Sequence, residues 1–213
     1  MMIRILILIL TISCLQSQYS DYNTLVLNNQ LSKFVWWANK STGEFHNGFI
    51  NLANGHIDIN QSNSESKLDI IGGEIVIDMP SISCYDIASE GANQSLVSHL
   101  NNEDFFDTDN FPTAHLTIIR AIAQDDLDES FLIEGYLTIL DKTHPIEFFA
   151  SCKFFKNEKM DDSISSFKAE GVIPIDRALY GVKYKSKTWY KNIGDHFIDD
   201  IFYLYFNVTS HIP

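Results

Sequence analysis

From Lys33 to Thr209 the chain is a succession of short β-branched and aromatic runs in which apolar and polar residues alternate. A side-chain period of two belongs to strands with one buried and one wetter face. Between Pro145 and Lys156, Ile146, Phe148, Ala150 and Cys152 share a face opposite Glu147, Ser151 and Lys153. Near the C-terminus Ile198, Phe202, Leu204, Phe206 and Val208 share a face. So do His46, Gly48, Ile50 and Leu52, opposite Asn47 and Asn51. Clusters of Asn, Gly, Asp and Ser punctuate the runs, as they do between strands.

The pattern predicts about nine strands: Lys33 to Lys40, Glu44 to Ala53, His56 to Gln61, Leu68 to Met79, His115 to Ala123, Ser130 to Asp141, Pro145 to Lys156, Ser165 to Ile175 and Ile198 to Thr209. Asn54-Gly55 reads as a hairpin turn. Gly72-Gly73 reads as a bulge or a point of close backbone approach. One segment reads as a helix. It is capped by Asp86 or Ser89, runs through Gln94, Leu96, Val97 and Leu100, and stops at Asn101-Asn102. Strands at hairpin spacing with a single helix suggest a sandwich or an up-and-down barrel. Closure removes exposed strand edges, and about eight strands enclose a space that side chains fill or one ligand occupies.

The first residues, MMIRILILILTISCLQSQ, do not belong to this pattern. Arg4 supplies a positive start and Ile5 to Ile12 an apolar run of signal-peptide length, with small residues at Ser13 and Ser17. Residues 1–18 are expected to be a signal peptide and 19–213 a single exported domain, periplasmic or secreted. A lipoprotein signal acylated at Cys14 is the rival, with Thr11 where such signals usually carry an aliphatic residue. No later stretch has the ~20 apolar residues of a membrane-spanning helix.

The formal net charge of −13 argues against nucleic acid as a partner, because phosphate backbones are bound by clustered Lys and Arg. Cys84 and Cys152 could bridge in an oxidising compartment or serve as two separate small core residues. There is no C-x-x-C, no HExxH, no G-x-S-x-G and no phosphate-binding glycine loop, so no catalytic residue, metal or cofactor is signalled.

Six segments, in order, carry a family resemblance. Val35, Trp37 and Lys40 precede HNGFINLANG at His46 to Gly55. GGEIVIDMPSI follows at Gly72 to Ile82, then HLNNEDFFDTDNFPTAHL at His99 to Leu116. GYLTILDKTHPIEF occupies Gly135 to Phe148 and IDRALYGVKY Ile175 to Tyr184, before the closing GDHFIDDIFYLYF. Together they resemble the YceI-like, polyisoprenoid-binding family over nearly the whole mature chain. Asn39, where related sequences often carry glycine, and the additional aromatic Trp36 depart from its pattern. The resemblance implies a lipocalin-like antiparallel β-barrel with an apolar tunnel. It also implies a long isoprenoid ligand, such as a polyprenyl phosphate or a quinone tail, and no recognised catalytic residues.

Burying one CH₂ contributes about 0.8 kcal/mol, so each isoprene unit grosses a few kcal/mol and an apolar tube suffices for binding. The inward alternations nominate Val35, Trp37, Ile50, Leu52, Ile75, Ile77, Leu137, Ile139, Phe148, Ile173, Phe202 and Leu204 as its lining. The alternative for each is plain core packing. Phe105 and Phe106 cannot both point inward from a strand, but in a turn one can plug the core and the other line the tunnel mouth. Asp104, Asp107 and Asp109 suggest either a calcium loop or turn formation. The former lacks the glycine and final glutamate of an EF-hand. Arg177 could hold a headgroup phosphate or pair locally with Asp176 or another carboxylate. Three functions compete: an isoprenoid carrier, a binding module for fatty acids or other apolar amphiphiles, and a quinone-linked enzyme or redox partner. The last would need Arg177, His99 and the Asp-rich turn at the tunnel mouth. A homodimer is left open.

Overall fold

A computed structural model describes residues 22–61, 68–124, 129–156, 164–192 and 197–210. The expected signal peptide, with Cys14, lies outside them. The strands are β1 (Tyr22–Val26), β2 (Lys33–Asn39), β3 (Phe45–Gln61), β4 (Leu68–Asp78), β5 (Thr113–Ala123), β6 (Ser130–Ile139), β7 (Lys142–Lys156), β8 (Ile164–Asp176) and β9 (Ile201–Thr209). They form one antiparallel sheet in the order β1-β3-β2-β9-β8-β7-β6-β5-β4, and β4 pairs again with β3. That last pairing closes β2 to β9 into an eight-stranded barrel. β1 lies outside it, on the far half of β3. Of the two all-β architectures compatible with the sequence, the chain adopts the barrel.

Two strand assignments change. β1 carries a weak alternation and is not expected from its sequence. Asn54-Gly55 is not a turn, because β3 runs unbroken through it, with Asn54 opposite Val76 and Gly55 opposite Ile75. The register skips Ala53 between Leu52 and Asn54, so a bulge takes the place of the turn. It switches the inward face from Gly48, Ile50 and Leu52 to Ile57 and Ile59. The physical reason is tertiary: a turn here would forfeit the ladders that β3 makes with β1 and β4 on its two sides. The second bulge falls where expected, with the register skipping Ile71 beside Gly72.

The helix α1 spans Glu90–Asn101 with Ser89 at its N-cap and Asn102 at its C-cap. Asp86 is not the cap. Its carboxylate accepts from the Asn47 backbone N–H and the Cys84 thiol, and pairs with His46 Nδ1 at 2.9 Å. This ties the irregular segment before α1 onto β3. α1 and the loop after it lie over one end of the barrel, where Leu100, Phe105 and Phe106 are buried. Cys84 and Cys152 are buried and free, as two separate core residues.

Candidate functional site

The barrel interior has two unequal halves. In the half away from α1, Phe34, Ile57, Leu116, Phe148, Phe167, Phe206 and their neighbours pack around about 30 Å³ of space, near the minimum for one water. In the half beneath α1 a cavity of about 100 Å³ remains. Its walls are Trp36 and Ala38 from β2, Ile50 from β3, Ile77 from β4, Ala114 from β5, Leu137 and Ile139 from β6, Ile175 from β8, and Phe202 and Leu204 from β9. Met79, Ile82, Leu100, Phe105 and Phe106, all off the sheet, and Ile198, bridged to Lys40 beside β2, close the end. Apart from Arg177 every lining residue is apolar.

The structure sorts the residues nominated from sequence. Ile50, Ile77, Phe105, Phe106, Leu137, Ile139, Arg177, Phe202 and Leu204 border the wider cavity. Ile75, Phe148 and Ile173 border the narrow one, and Leu52 is buried core. Val35 and Trp37 are corrected: they lie on the outer face of β2, while Phe34 and Trp36, 2% and 7% exposed, point inward. The run Phe34-Val35-Trp36-Trp37 is apolar throughout, so alternation cannot set its parity. Long-range contacts do. The Trp36 indole Nε1 donates to the Ser83 carbonyl at 2.9 Å, and Trp37 stacks on Phe45, ring centres 4.2 Å apart. Trp36, absent from the expected lining, is therefore a wall of the cavity. Ala38, Met79, Ile82, Leu100, Ala114, Ile175 and Ile198 were not nominated either. Ile82 follows no strand period, and Leu100 belongs to the helix stripe.

Phe105 and Phe106 both turn inward, their ring centres 6.2 Å apart. The turn that allows it places Asp107 at φ +43°, with its carboxylate accepting from the Asn110 side-chain amide. Asp104 instead pairs with His99 Nε2 at 3.1 Å. Turn formation thus accounts for the Asp107 carboxylate and the His99 contact for that of Asp104, and no group of three potential ligands that could hold a metal occurs among the described residues.

Arg177 is 3% exposed and fully employed. Its guanidinium donates to the carbonyls of Asp199, Val182, Tyr184 and Ile198 and lies 3.4 Å from Asp200 Oδ1. Burial pulls the guanidinium below its ordinary pKa, and Asp200, Asp176 and Asp199 work against that pull. The local pairing anticipated for Arg177 is thus with Asp200 rather than Asp176. Its carbon sits 5.9 Å from the centre of the Phe105 ring. The His99 ring meets that ring, and the Tyr184 ring, edge-on. The donors of Arg177 thus fasten the chain at the barrel end, and what borders the cavity offers apolar contact.

Residues 26–209 match the YceI-like domain. The chain belongs to the YceI-like family. The barrel is also similar to solved structures, at identities that show the fold alone. Burkholderia cenocepacia BcnA is 16% identical with a TM-score of 0.60, over 87% of this chain and 99% of that one. A polyisoprenoid binding domain from Saccharophagus degradans, implicated in plant cell wall breakdown, is 14% identical with a TM-score of 0.56, over 90% and 98%. A Campylobacter jejuni YCEI protein is 17% identical with a TM-score of 0.52, over 77% and 84%. No curated protein sequence matches. In this YceI-like barrel the wider cavity is the place an apolar ligand can occupy.

Proposed function

We propose that the protein is an exported carrier or store for a long isoprenoid chain, held in the cavity beneath α1. The observation that carries this reading is the cavity itself: a closed barrel end walled by aliphatic and aromatic side chains whose one cation is already paired. Such a wall desolvates hydrocarbon, which supports a binding role for the cavity. Family membership supports an apolar ligand. The signal-like start of the sequence supports export.

At about 100 Å³ the cavity is smaller than the roughly 300–1,000 Å³ of ordinary ligand pockets. A long chain must widen it. The sheet cannot yield without breaking ladder bonds, whereas Leu100, Phe105 and Phe106 stand on α1 and the loop after it, held to the barrel by side-chain packing. We take these three side chains as the plug that a tail displaces. Native mass spectrometry of protein purified without detergent and titrated with geranylgeraniol tests the reading. One bound prenol per chain is expected. Neither uptake of the prenol nor a co-purified apolar lipid would contradict it. Uptake of palmitate in preference to the prenol would favour the fatty-acid alternative.

A further inference from the structure

Beside the plugged end of the barrel lies an open cleft of about 820 Å³, bordered by Glu103, Asp104, Gly181, Lys183, Tyr184, Lys185, Tyr190, Lys191 and Asn192. Its charge is unusual for this chain. Overall the protein carries 28 acidic and 15 basic residues, yet from Arg177 to Gly194 the sequence contains Arg177, Lys183, Lys185, Lys187 and Lys191 and no carboxylate. Lys40 and Lys153 are matched to Glu44 and Glu129. Among the described residues no carboxylate lies within ion-pair distance of Lys183, Lys185 or Lys191. The ammonium groups of Lys183 and Lys185 rest near the rings of Trp189 and Tyr184, at 4.5 and 5.4 Å. These contacts are weak at exposed sites and leave ammonium N–H donors open to a ligand.

The segment that carries these lysines is fixed in place. Arg177 Nη1 donates to the Tyr184 carbonyl at 2.8 Å, and Ile198 N–H donates to the Lys185 carbonyl at 2.9 Å. Ser186 is wholly buried, and the Thr188 N–H and hydroxyl both donate to Asp200. Lys185 itself is held at φ +48°, a conformation that costs energy for a residue with a Cβ and persists only where surrounding bonds impose it. A cationic loop pinned in this way loses little freedom when it meets an anion.

The cleft adjoins the cavity through one aromatic layer. Tyr184 borders the cleft, Phe105 borders the cavity, and their ring centres are 5.4 Å apart. Glu103 and Asp104 also border the cleft, and Asp104 is engaged by His99. We infer that Lys183, Lys185 and Lys191 hold the phosphate or diphosphate head of a prenyl-type amphiphile whose tail passes Phe105 into the cavity. The inference rests on the tail-binding reading above, and it selects a charged head over the neutral head of a quinone or an amide. Lysine suits this task as a point charge for phosphate oxygens.

The test compares farnesyl diphosphate, farnesol and inorganic diphosphate by calorimetry on the same protein. Farnesyl diphosphate is expected to bind about tenfold to a hundredfold more tightly than farnesol at low salt, as charge-assisted hydrogen bonds imply. The ratio should shrink as salt is raised. In the triple variant Lys183→Gln, Lys185→Gln, Lys191→Gln the ratio should fall toward one, and in the corresponding triple Arg variant it should persist. Equal affinities for the two prenyl compounds in the unmodified protein would overturn the headgroup assignment and leave tail binding standing. A ratio that survives the Gln substitutions would overturn it as well. Inorganic diphosphate binding as tightly as farnesyl diphosphate would show a free-phosphate site with no tail attached, again contradicting the inference. Failure of both prenyl compounds to bind would remove the tail-binding reading and this inference together.

Discussion

The Trp36 indole donates to the Ser83 carbonyl at 2.9 Å beside Gly48 on β3, whose missing side chain leaves room for the contact. A Cβ on Gly48 would overlap the Ser83 carbonyl and crowd Trp36 Nε1 to 2.8 Å. Gly48→Ala is therefore expected to destabilise the fold by about 1–3 kcal/mol or more through overpacking against backbone. Gly91→Ala on α1, where nothing lies within 4 Å of the new methyl, should be neutral or slightly stabilising. Urea unfolding of the two variants checks the contrast.

The same contact makes Trp36 the reporter of cavity occupancy. The chain has three tryptophans, Trp36, Trp37 and Trp189. Only Trp36 borders the cavity among them. Binding of an apolar ligand should change the tryptophan emission of Trp37→Phe and Trp189→Phe as it does that of the unmodified protein. In Trp36→Phe the change should vanish.

Filling the cavity should separate stability from binding. Ala114 is 6% exposed and borders the cavity from β5. Ala114→Phe is expected to abolish prenol uptake while costing about 1–3 kcal/mol of stability. Val35→Ser, on the outer face of β2, should leave uptake unchanged. Native mass spectrometry together with thermal melting checks both.

Asp200 sets an acid limb. Burial raises its carboxyl pKa, and the two hydrogen bonds from Thr188 together with the Arg177 charge offset that, leaving it below the ordinary value of 3.8. A group depressed in the folded state contributes stability that is complete above its unfolded pKa and is lost as pH falls through the folded one. The contribution is thus full above about pH 4 and fades below it. Asp200→Asn should lose up to about 3–5 kcal/mol at neutral pH, because it strands the buried Arg177. Its stability should also fall less steeply below pH 4, which acid titration of the unfolding midpoint would show.

Burial pushes the Cys152 thiol up to about 12, and the Cys84 thiol is raised as well, by burial and by its hydrogen bond to Asp86. Thiolate is the reactive species. Neither should react with a thiol reagent near neutral pH until the protein is unfolded, whereupon both should.

Much of this fold was legible because eight strands close around an apolar interior, so alternation repeats the same inward face in most of them. Ile50, Ile77, Leu137 and Ile139 were found that way. Alternation failed where a strand is apolar on both faces, as at Phe34 to Trp37, and where a bulge switches parity, as at Ala53. Periodicity does not separate cavity wall from core, so Met79, in phase with Ile75 and Ile77, and Leu100, on the helix stripe, are not singled out by it, and it is silent about Ile82. Asn54-Gly55 has the local chemistry of a turn and was overruled by pairing partners distant in sequence. The state of Arg177 depends on carbonyls from residues 182 to 199, which no local motif specifies.

A crystal structure of the protein with geranylgeraniol tests the central claim most directly. Hydrocarbon density is expected between Trp36, Leu137 and Phe202, with the Phe105 and Phe106 rings displaced from the barrel end. Density confined to the outer apolar face around Val35 and Phe149, with both phenylalanine rings still in place, would contradict it.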